Sequence, residues 1–279
     1  MSFVTRFAPS PTGPLHLGHA YSALLAHDMA RAAGGQFLLR FEDTDLERSK
    51  PEYIAQIIDD LTWLGITWDA PPLMQSEHFN AYNQSVEALI SMGLTYPCRC
   101  SRKDITAALA APQEGVPHAI YPQTCKNRSM SERGPTDALR LHMDRAMDAL
   151  AGKELAFTEL GDLRKGVHVI DRDEIIQSVG DIVIGRKDIH TAAYFLASAL
   201  DDIAQGITHV VRGIDLFEFT QVQVLLLHLL GHKPPLYHHH KLIRDEHGKR
   251  LAKRDDARAI SLYRDQGASP QDIRLIVGI

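Results

Sequence analysis

Residues 2–43 read SFVTRFAPSPTGPLHLGHAYSALLAHDMARAAGGQFLLRFED, and the parsing of this stretch decides the fold. Phe3 to Ala8 read as a strand. The run Pro9-Ser10-Pro11-Thr12-Gly13-Pro14 can continue neither a helix nor a central strand, because proline fixes its own φ and lacks an N–H. From about His19 to Ala33 the apolar spacing is helical, Gly34-Gly35 ends that helix, and QFLLRFED is a short apolar run suited to a buried strand. The next segment, SKPEYIAQIIDDLTWLG, is a second helix, with Ser49 near its start, Pro51 in its first turn and Gly65 at its end. Strand, helix, strand, helix in this order implies a parallel sheet.

Further along, the rhythm breaks between residues 98 and 185. This interval holds all three cysteines, a Pro- and Gly-containing loop and the strand-like runs ALRLHM and VHVID. It reads as an insertion. After it come a strand, ITHVVRG, and a strongly apolar helix, FTQVQVLLLHLLG, so the alternation resumes. The expected division is therefore 1–97, first half of an α/β domain; 98–185, an inserted α+β subdomain; and 186–279, the second half.

Composition narrows the class. The 279 residues are 44% hydrophobic and 23% charged, as in an ordinary globular protein with a sizeable core. A net charge of −5 argues against a general polyanion binder, while leaving room for a local basic groove. The N-terminus shows no basic segment leading into an apolar run, and no stretch approaches the eighteen apolar residues of a membrane span. The expectation is a cytoplasmic protein without membrane contact. Three cysteines in such a chain point away from a disulfide framework and leave metal binding open.

Within the first loop, PLHLGH places His16 and His19 around Gly18 where the strand hands over to the helix. A metal pair, a phosphate cradle and a plain loop are all compatible with so short a pattern. The parallel sheet favours the second. The loop after the first strand lies at the carboxyl edge, and the following helix aims its free N–H groups and positive dipole end at the same place. Near the C-terminus HGKRLAKRDD gathers Lys249, Arg250, Lys253 and Arg254 in a Gly-containing polar segment. Alone it reads as a solvated charge run. Beside a phosphate-binding helix start, it supplies cations to stabilise a leaving pyrophosphate. A substrate carboxylate could then attack the α-phosphorus of ATP directly and form an acyl adenylate.

In this order, RFAPSPTGPLHLGHA, FLLRFEDTD, LTWLGITWD, YPCRCSRKD, VVRGIDL and KRLAKRD resemble the catalytic half of class I glutamyl-tRNA synthetases, over nearly the whole chain. The resemblance implies an α/β fold: a Rossmann-type parallel-sheet catalytic domain with an inserted zinc-containing α+β subdomain. HLGH stands where the family has its HIGH signature and RLAKR where it has KMSKS, which implies ATP binding by His16, Gly18, His19 and Lys253, and catalysis by His16, His19 and Lys253. Arg250 replaces the first KMSKS lysine, keeping the charge but offering a planar fork.

The resemblance likewise assigns a glutamate pocket to Arg6, Phe7, Ala8, Pro9, Ser10, Glu42, Tyr194 and Arg212. The chemistry agrees: an arginine suits a carboxylate, Ser10 adds a hydrogen bond and Glu42 suits the ammonium. The alternative for Arg6 and Glu42 is that they pair with each other across neighbouring strands. Cys98-x-Cys100 with Cys125 offers three thiolates, and structural zinc takes four ligands. The resemblance points to Tyr121 as the fourth, His118 being the chemically more ordinary choice. The adjacent His238, His239 and His240 cannot all reach one ion from a strand, whose faces alternate.

Only 25 residues follow Arg254, whereas an anticodon-binding domain needs on the order of 100. This matches the short branch of the family, which joins glutamate to the queuosine base of aspartate tRNA. The implied partners are L-glutamate, ATP with Mg2+ and queuosine-bearing tRNA(Asp), acting on a monomer. Rival readings are a shortened enzyme charging tRNA(Glu), a small-acid nucleotidyltransferase and a catalytically silent RNA-binding relative. RCSRKD (99–104) and KNRSMSER (126–133) are candidate phosphate contacts or plain solvated faces.

Overall fold

A computed structural model describes residues 2–101, 103–105, 120–187, 191–243 and 259–279. Expectations for His118, Lys249, Arg250, Lys253 and Arg254 lie outside the described residues. The first half runs β1 (Val4–Phe7), α1 (Leu17–Ala32), β2 (Gln36–Phe41), α2 (Pro51–Trp63), β3 (Leu73–Met74), α3 (Phe79–Ser91) and β4 (Thr95–Cys98). Then follow β5 (Ala138–Leu141), α4 (Met143–Asp148), β6 (Ala156–Glu159), β7 (Gly166–Val169), α5 (Arg172–Ser178) and β8 (Val183–Gly185). The remainder is α6 (Tyr194–Ala204), β9 (His209–Gly213), α7 (Thr220–Leu229), β10 (Leu236–His240), α8 (Ile260–Asp265) and α9 (Pro270–Val277).

Strands β1, β2 and β3 pair in parallel, as do β9 and β10. The two sets meet where Thr208 N–H donates to Val4 O at 2.9 Å, and Val4 N–H to Thr208 Oγ1 at 2.8 Å. The order β3-β2-β1-β9-β10 reverses direction between β1 and β9, and ligands of open α/β sheets bind at such a switch point. The run QFLLRF is buried on both faces except at Gln36, as a parallel strand covered by helices must be. Phe37, Leu39 and Phe41 pack with Leu24 of α1, Ile57 and Leu61 of α2, and Ile273 of α9. Gly35 is needed where the chain passes Phe3: a Cβ there would lie 2.1 Å from Phe3 O. Among the described residues no helix is long and apolar enough to cross a membrane.

Residues 98–185 contribute to two sheets. ALRLHM forms β5, which pairs antiparallel with β4 and β8. VHVID supplies β7, whose hairpin partner β6 lies parallel to β10, with Leu160 N–H donating to Tyr237 O at 2.7 Å. The β6–β7 hairpin thus extends the sheet of the C-terminal half, a pairing across about eighty residues that local periodicity cannot reveal.

Candidate active site

His16 is the N-cap of α1, with extended backbone at φ −121° and ψ 174°. Its Nδ1 accepts the Gly18 N–H at 3.1 Å, while His19 Nδ1 accepts the His16 N–H at 3.2 Å. The two histidines close a reciprocal capping box of the kind that Ser and Glu usually make. Their rings stack with centroids 3.6 Å apart and planes 24° from parallel. Each Nδ1 accepts a backbone N–H, so the neutral ring carries its proton on Nε2, and protonating Nδ1 would break the cap. A Cβ on Gly18 would meet His16 Cε1 at 3.0 Å and disturb the stack.

All eight residues read as the glutamate pocket line one cavity of about 380 Å³ at the β1/β9 switch point. His19 lines it too. Arg6 and Glu42 do not pair with each other. Arg6 sends Nε and Nη2 to Asp202 at 2.8 and 3.3 Å, and Glu42 sits 3.4 Å from Arg40. Arg40, wholly buried, also donates to the same Asp202 oxygen as Arg6, at 2.7 Å, and lies 3.7 Å from Asp201. Asp201 in turn accepts from Gln75 Nε2 at 2.6 Å and Tyr82 OH at 2.7 Å. The five charges hold one another in an interior that would expel any of them alone. Burial would raise the Asp202 carboxyl, but Arg6 and Arg40 together hold it below the usual carboxylate range. Burial prevails at Glu42 and Asp201, both pushed up despite the guanidinium groups beside them.

Arg212 is held differently. Its Nε donates to His239 Nε2 at 3.0 Å, Nη2 to Thr220 Oγ1 at 2.9 Å, and Nη1 to Gln223 Oε1. Among the described residues no carboxylate forms an ion pair with it, and burial draws its guanidinium below the ordinary arginine value. Because His239 Nε2 accepts from Arg212, its Nδ1–H donates to Glu159 Oε2. Glu159 Oε1 accepts the backbone N–H of His239 at 2.8 Å and of Gly161 at 2.7 Å. Burial would raise Glu159, but these donors hold it low, and burial keeps His239 below the usual imidazole range. Neutral His239 therefore fixes the direction of Arg212, and Glu159 fixes the tautomer of His239. His240 turns instead to Ser22 Oγ at 3.1 Å and Lys241 O at 2.8 Å, so His239 and His240 serve separate partners.

Sequence reasoning missed Arg40, Asp201, Asp202, Glu159 and the role of His239. A lone arginine inside QFLLRF and adjacent acids inside the apolar helix YFLASALDDIA were the available signals.

The cysteines gather as their spacing suggests. The sulfurs of Cys98, Cys100 and Cys125 all lie within 4.8 Å of one another. Cys100 Sγ is 3.6 Å from Cys125 Sγ, and Tyr121 OH is 3.4 Å from both Cys98 Sγ and Cys100 Sγ. The phenol oxygen also accepts the Cys125 N–H at 2.9 Å. Burial opposes ionisation of Cys125, but Tyr121, the Arg99 N–H and the neighbouring thiols bring it down to about 7. Of the basic stretch 126–133, Lys126 pairs with Asp144 at 3.1 Å and Arg128 with Asp137 at 2.9 Å, so both serve the subdomain itself.

The family described as tRNA synthetases class I (E and Q), catalytic domain, matches residues 2–278. A glutamyl-Q tRNA(Asp) synthetase of Rhodobacter capsulatus is 54% identical over 283 residues, an alignment covering 99% of this chain and 100% of that protein. A glutamate–tRNA ligase of Oleidesulfovibrio alaskensis is 38% identical over 96% of this chain, which spans 54% of that longer protein. In fold, the chain is similar to the crystal structure of a glutamate tRNA ligase from Elizabethkingia meningosepticum in complex with its amino acid. The TM-score is 0.77 at 24% identity, with 99% of this chain and 60% of that one covered.

Proposed function

The chain belongs to the class I tRNA synthetase (E and Q) catalytic-domain family, and from that premise we propose that it activates L-glutamate with ATP and transfers it to queuosine in tRNA(Asp). The observation that carries the reading is the cavity at the β1/β9 switch point. It holds a buried cation, Arg212, without a carboxylate partner among the described residues, and lies beside a helix N-terminus capped by two histidines.

In the first step a glutamate carboxylate oxygen attacks the α-phosphorus of ATP, brought in with Mg2+, and the bond to pyrophosphate breaks. By resemblance, His16 and His19 serve the phosphates of ATP, and the α1 N-terminus presents its dipole to them. By resemblance, Lys253, with Arg250 in place of a lysine, faces the leaving pyrophosphate. Arg6 and Arg212 hold the carboxylates of glutamate, and Glu42 its ammonium. In the second step a queuosine hydroxyl attacks the acyl carbon and an ester forms. AMP leaves, its phosphate taking the hydroxyl proton.

Glutamate-dependent pyrophosphate exchange is expected without any tRNA. Glutamate is then expected on queuosine-bearing tRNA(Asp), including after removal of its 3′ terminal adenosine, and not on the same tRNA carrying guanine. If tRNA(Glu) is the best acceptor and 3′ trimming abolishes its charging, the chain is a tRNA(Glu)-charging enzyme instead. The same reading makes the enzyme a cytoplasmic monomer whose catalytic domain, residues 1–97 and 186–279, carries the insertion 98–185.

The cysteine cluster fits zinc. A tetrahedron with metal–sulfur bonds near 2.3 Å and a metal–oxygen bond near 2.0 Å has edges of about 3.8 Å between sulfurs and about 3.5 Å from sulfur to oxygen. Here Cys100 and Cys125 are 3.6 Å apart, Tyr121 OH is 3.4 Å from Cys98 and Cys100, and all three sulfurs lie within 4.8 Å of one another. Cys98, Cys100, Cys125 and Tyr121 would hold the ion, which would tie 98–101 to 121–125 without entering the reaction. Purified protein is expected to contain about one zinc per chain, and Cys98→Ser to lose it together with several degrees of melting temperature. Metal-free protein with an unchanged melting temperature would remove zinc from the account.

A further inference from the structure

A second cavity, of about 340 Å³, shares Tyr194 with the glutamate cavity. Its walls are aromatic: Tyr121, Tyr194, Phe195 and Phe219 line it, beside apolar residues such as Ile182. Phe195 and Phe219 stack with centroids 5.0 Å apart and planes at 26°, and Tyr194 meets Phe195 edge to face at 5.2 Å. One cation joins them. Arg140, 8% exposed, lays its guanidinium 3.6 Å over the Tyr121 ring. Its Nη1 donates to Asp181 O at 2.7 Å and its Nε to Cys98 Sγ at 3.3 Å, while Nη2 has no acceptor among the described residues.

Glutamate is aliphatic and finds its charged partners in the first cavity, so it has no use for the three rings beyond Tyr194. Rings with an unpartnered guanidinium donor suit a flat heteroaromatic ligand carrying a carbonyl oxygen. The volume lies in the range of small-ligand sites, and the shared Tyr194 makes the two cavities neighbours across a single side chain. An acyl-transfer acceptor must come up beside the activated carboxyl, and an adjacent cavity is where its base can rest.

We propose that this second cavity binds the aromatic base of the acceptor nucleotide, stacked against Phe195 and Phe219, with Arg140 donating to the base. The proposal rests on the reading that glutamate is transferred to a nucleotide, and it adds where that nucleotide lies. A modified purine of the anticodon loop and the terminal adenosine share this chemistry, so the test compares them.

Phe219→Leu keeps apolar bulk and removes the ring; Phe219→Tyr keeps the ring. With queuosine-bearing tRNA(Asp), Phe219→Leu is expected to raise the transfer KM about tenfold, in line with the loss of one stacking platform. Phe219→Tyr should stay within about twofold of the parent, and pyrophosphate exchange should change by less than about twofold in both. An unchanged transfer KM in Phe219→Leu overturns the proposal. So does a parallel fall in exchange, because Phe219 would then merely support Thr220 and Arg212 at the start of α7. A KM rise seen only with tRNA(Glu) supports the cavity but overturns the queuosine reading. Exchange by the parent enzyme without transfer to any tRNA overturns both.

Discussion

Asp202→Ala is expected to lose about 3–5 kcal/mol of folding stability, because it strips a shared counter-ion from two buried arginines. Asp202 is 4% exposed, and one of its oxygens accepts Arg6 Nε at 2.8 Å and Arg40 Nη1 at 2.7 Å. Without it, Arg6 keeps only the 3.5 Å contact to Val211 O, and Arg40 keeps Gln205 at 3.1 Å and longer approaches to Glu42 and Asp201. Neither guanidinium can escape the charge by deprotonating, so the desolvation cost stays in the folded state. Some of the loss returns, since Asp202 also disfavours ionisation of Glu42 and Asp201, and its removal lets them ionise more completely.

The sign with pH follows from the direction of each shift. The Asp202 carboxyl lies below its ordinary value of 3.8 in the fold, so its stabilisation is present above about pH 4 and fades as pH falls through the folded value. The part of the gap between parent and variant that comes from Asp202 itself should therefore be full at neutral pH and narrow in strong acid. Glu42 and Asp201 act in the opposite sense: their raised folded values contribute stability at low pH that is lost as pH rises through them. Urea titrations of parent, Asp202→Ala and Asp202→Asn across that range give the comparison. A loss below about 1 kcal/mol at neutral pH would mean that the arginines are hydrated or that the acids merely tolerate one another.

How far the site was legible depended on the reach of each interaction. The histidine motif was readable because a helix start is local: His16, Gly18 and His19 cap one another within four residues, and the preceding prolines forbid other structure. Cys98 and Cys100 stand two apart, and Cys125 follows closely enough to suggest one cluster. The charge network was not readable. Arg40 and Asp202 stand 162 positions apart, and Arg6 and Asp202 stand 196 apart. Arg6 on β1 and Glu42, just past the end of the neighbouring β2, offered a partnership that the fold declines, since α6 brings Asp202 to Arg6. The histidine run at 238–240 fell between these cases. Alternation along a strand sends His239 and His240 to different partners, yet the partner of His239, Glu159, sits on a hairpin whose pairing with β10 no local pattern announces.

Arg212→Met is expected to do the reverse of Asp202→Ala: to leave stability within about 1 kcal/mol and to reduce kcat/KM for glutamate in pyrophosphate exchange by a factor of about 10²–10³. The two arginines of the cavity differ in what neutralises them. Arg6 is compensated inside the protein, whereas Arg212 touches only neutral acceptors among the described residues: an imidazole nitrogen, an amide oxygen, a hydroxyl and the Leu216 carbonyl at 3.4 Å. A desolvated cation with oriented hydrogen bonds and no counter-ion is costly in the empty protein, and the incoming carboxylate relieves that cost. Methionine removes both the cost and the attraction. What folding loses in hydrogen bonds to His239, Gln223 and Thr220 is offset by no longer burying a charge, so little net change remains. The substrate loses a charge-assisted contact, worth about 2–5 kcal/mol at a buried pair. Most of the effect should fall on KM. Discrimination against neutral analogues of glutamate should relax together with it, because the carboxylate is what the unpaired guanidinium rewards. Glutamate should raise the melting temperature of the parent, since it binds only the folded state, and should fail to raise that of Arg212→Met at the same concentration. A drop in kcat/KM of less than about fivefold, with the glutamate-induced shift intact, would show that Arg212 belongs to the scaffold and that the acid is held elsewhere.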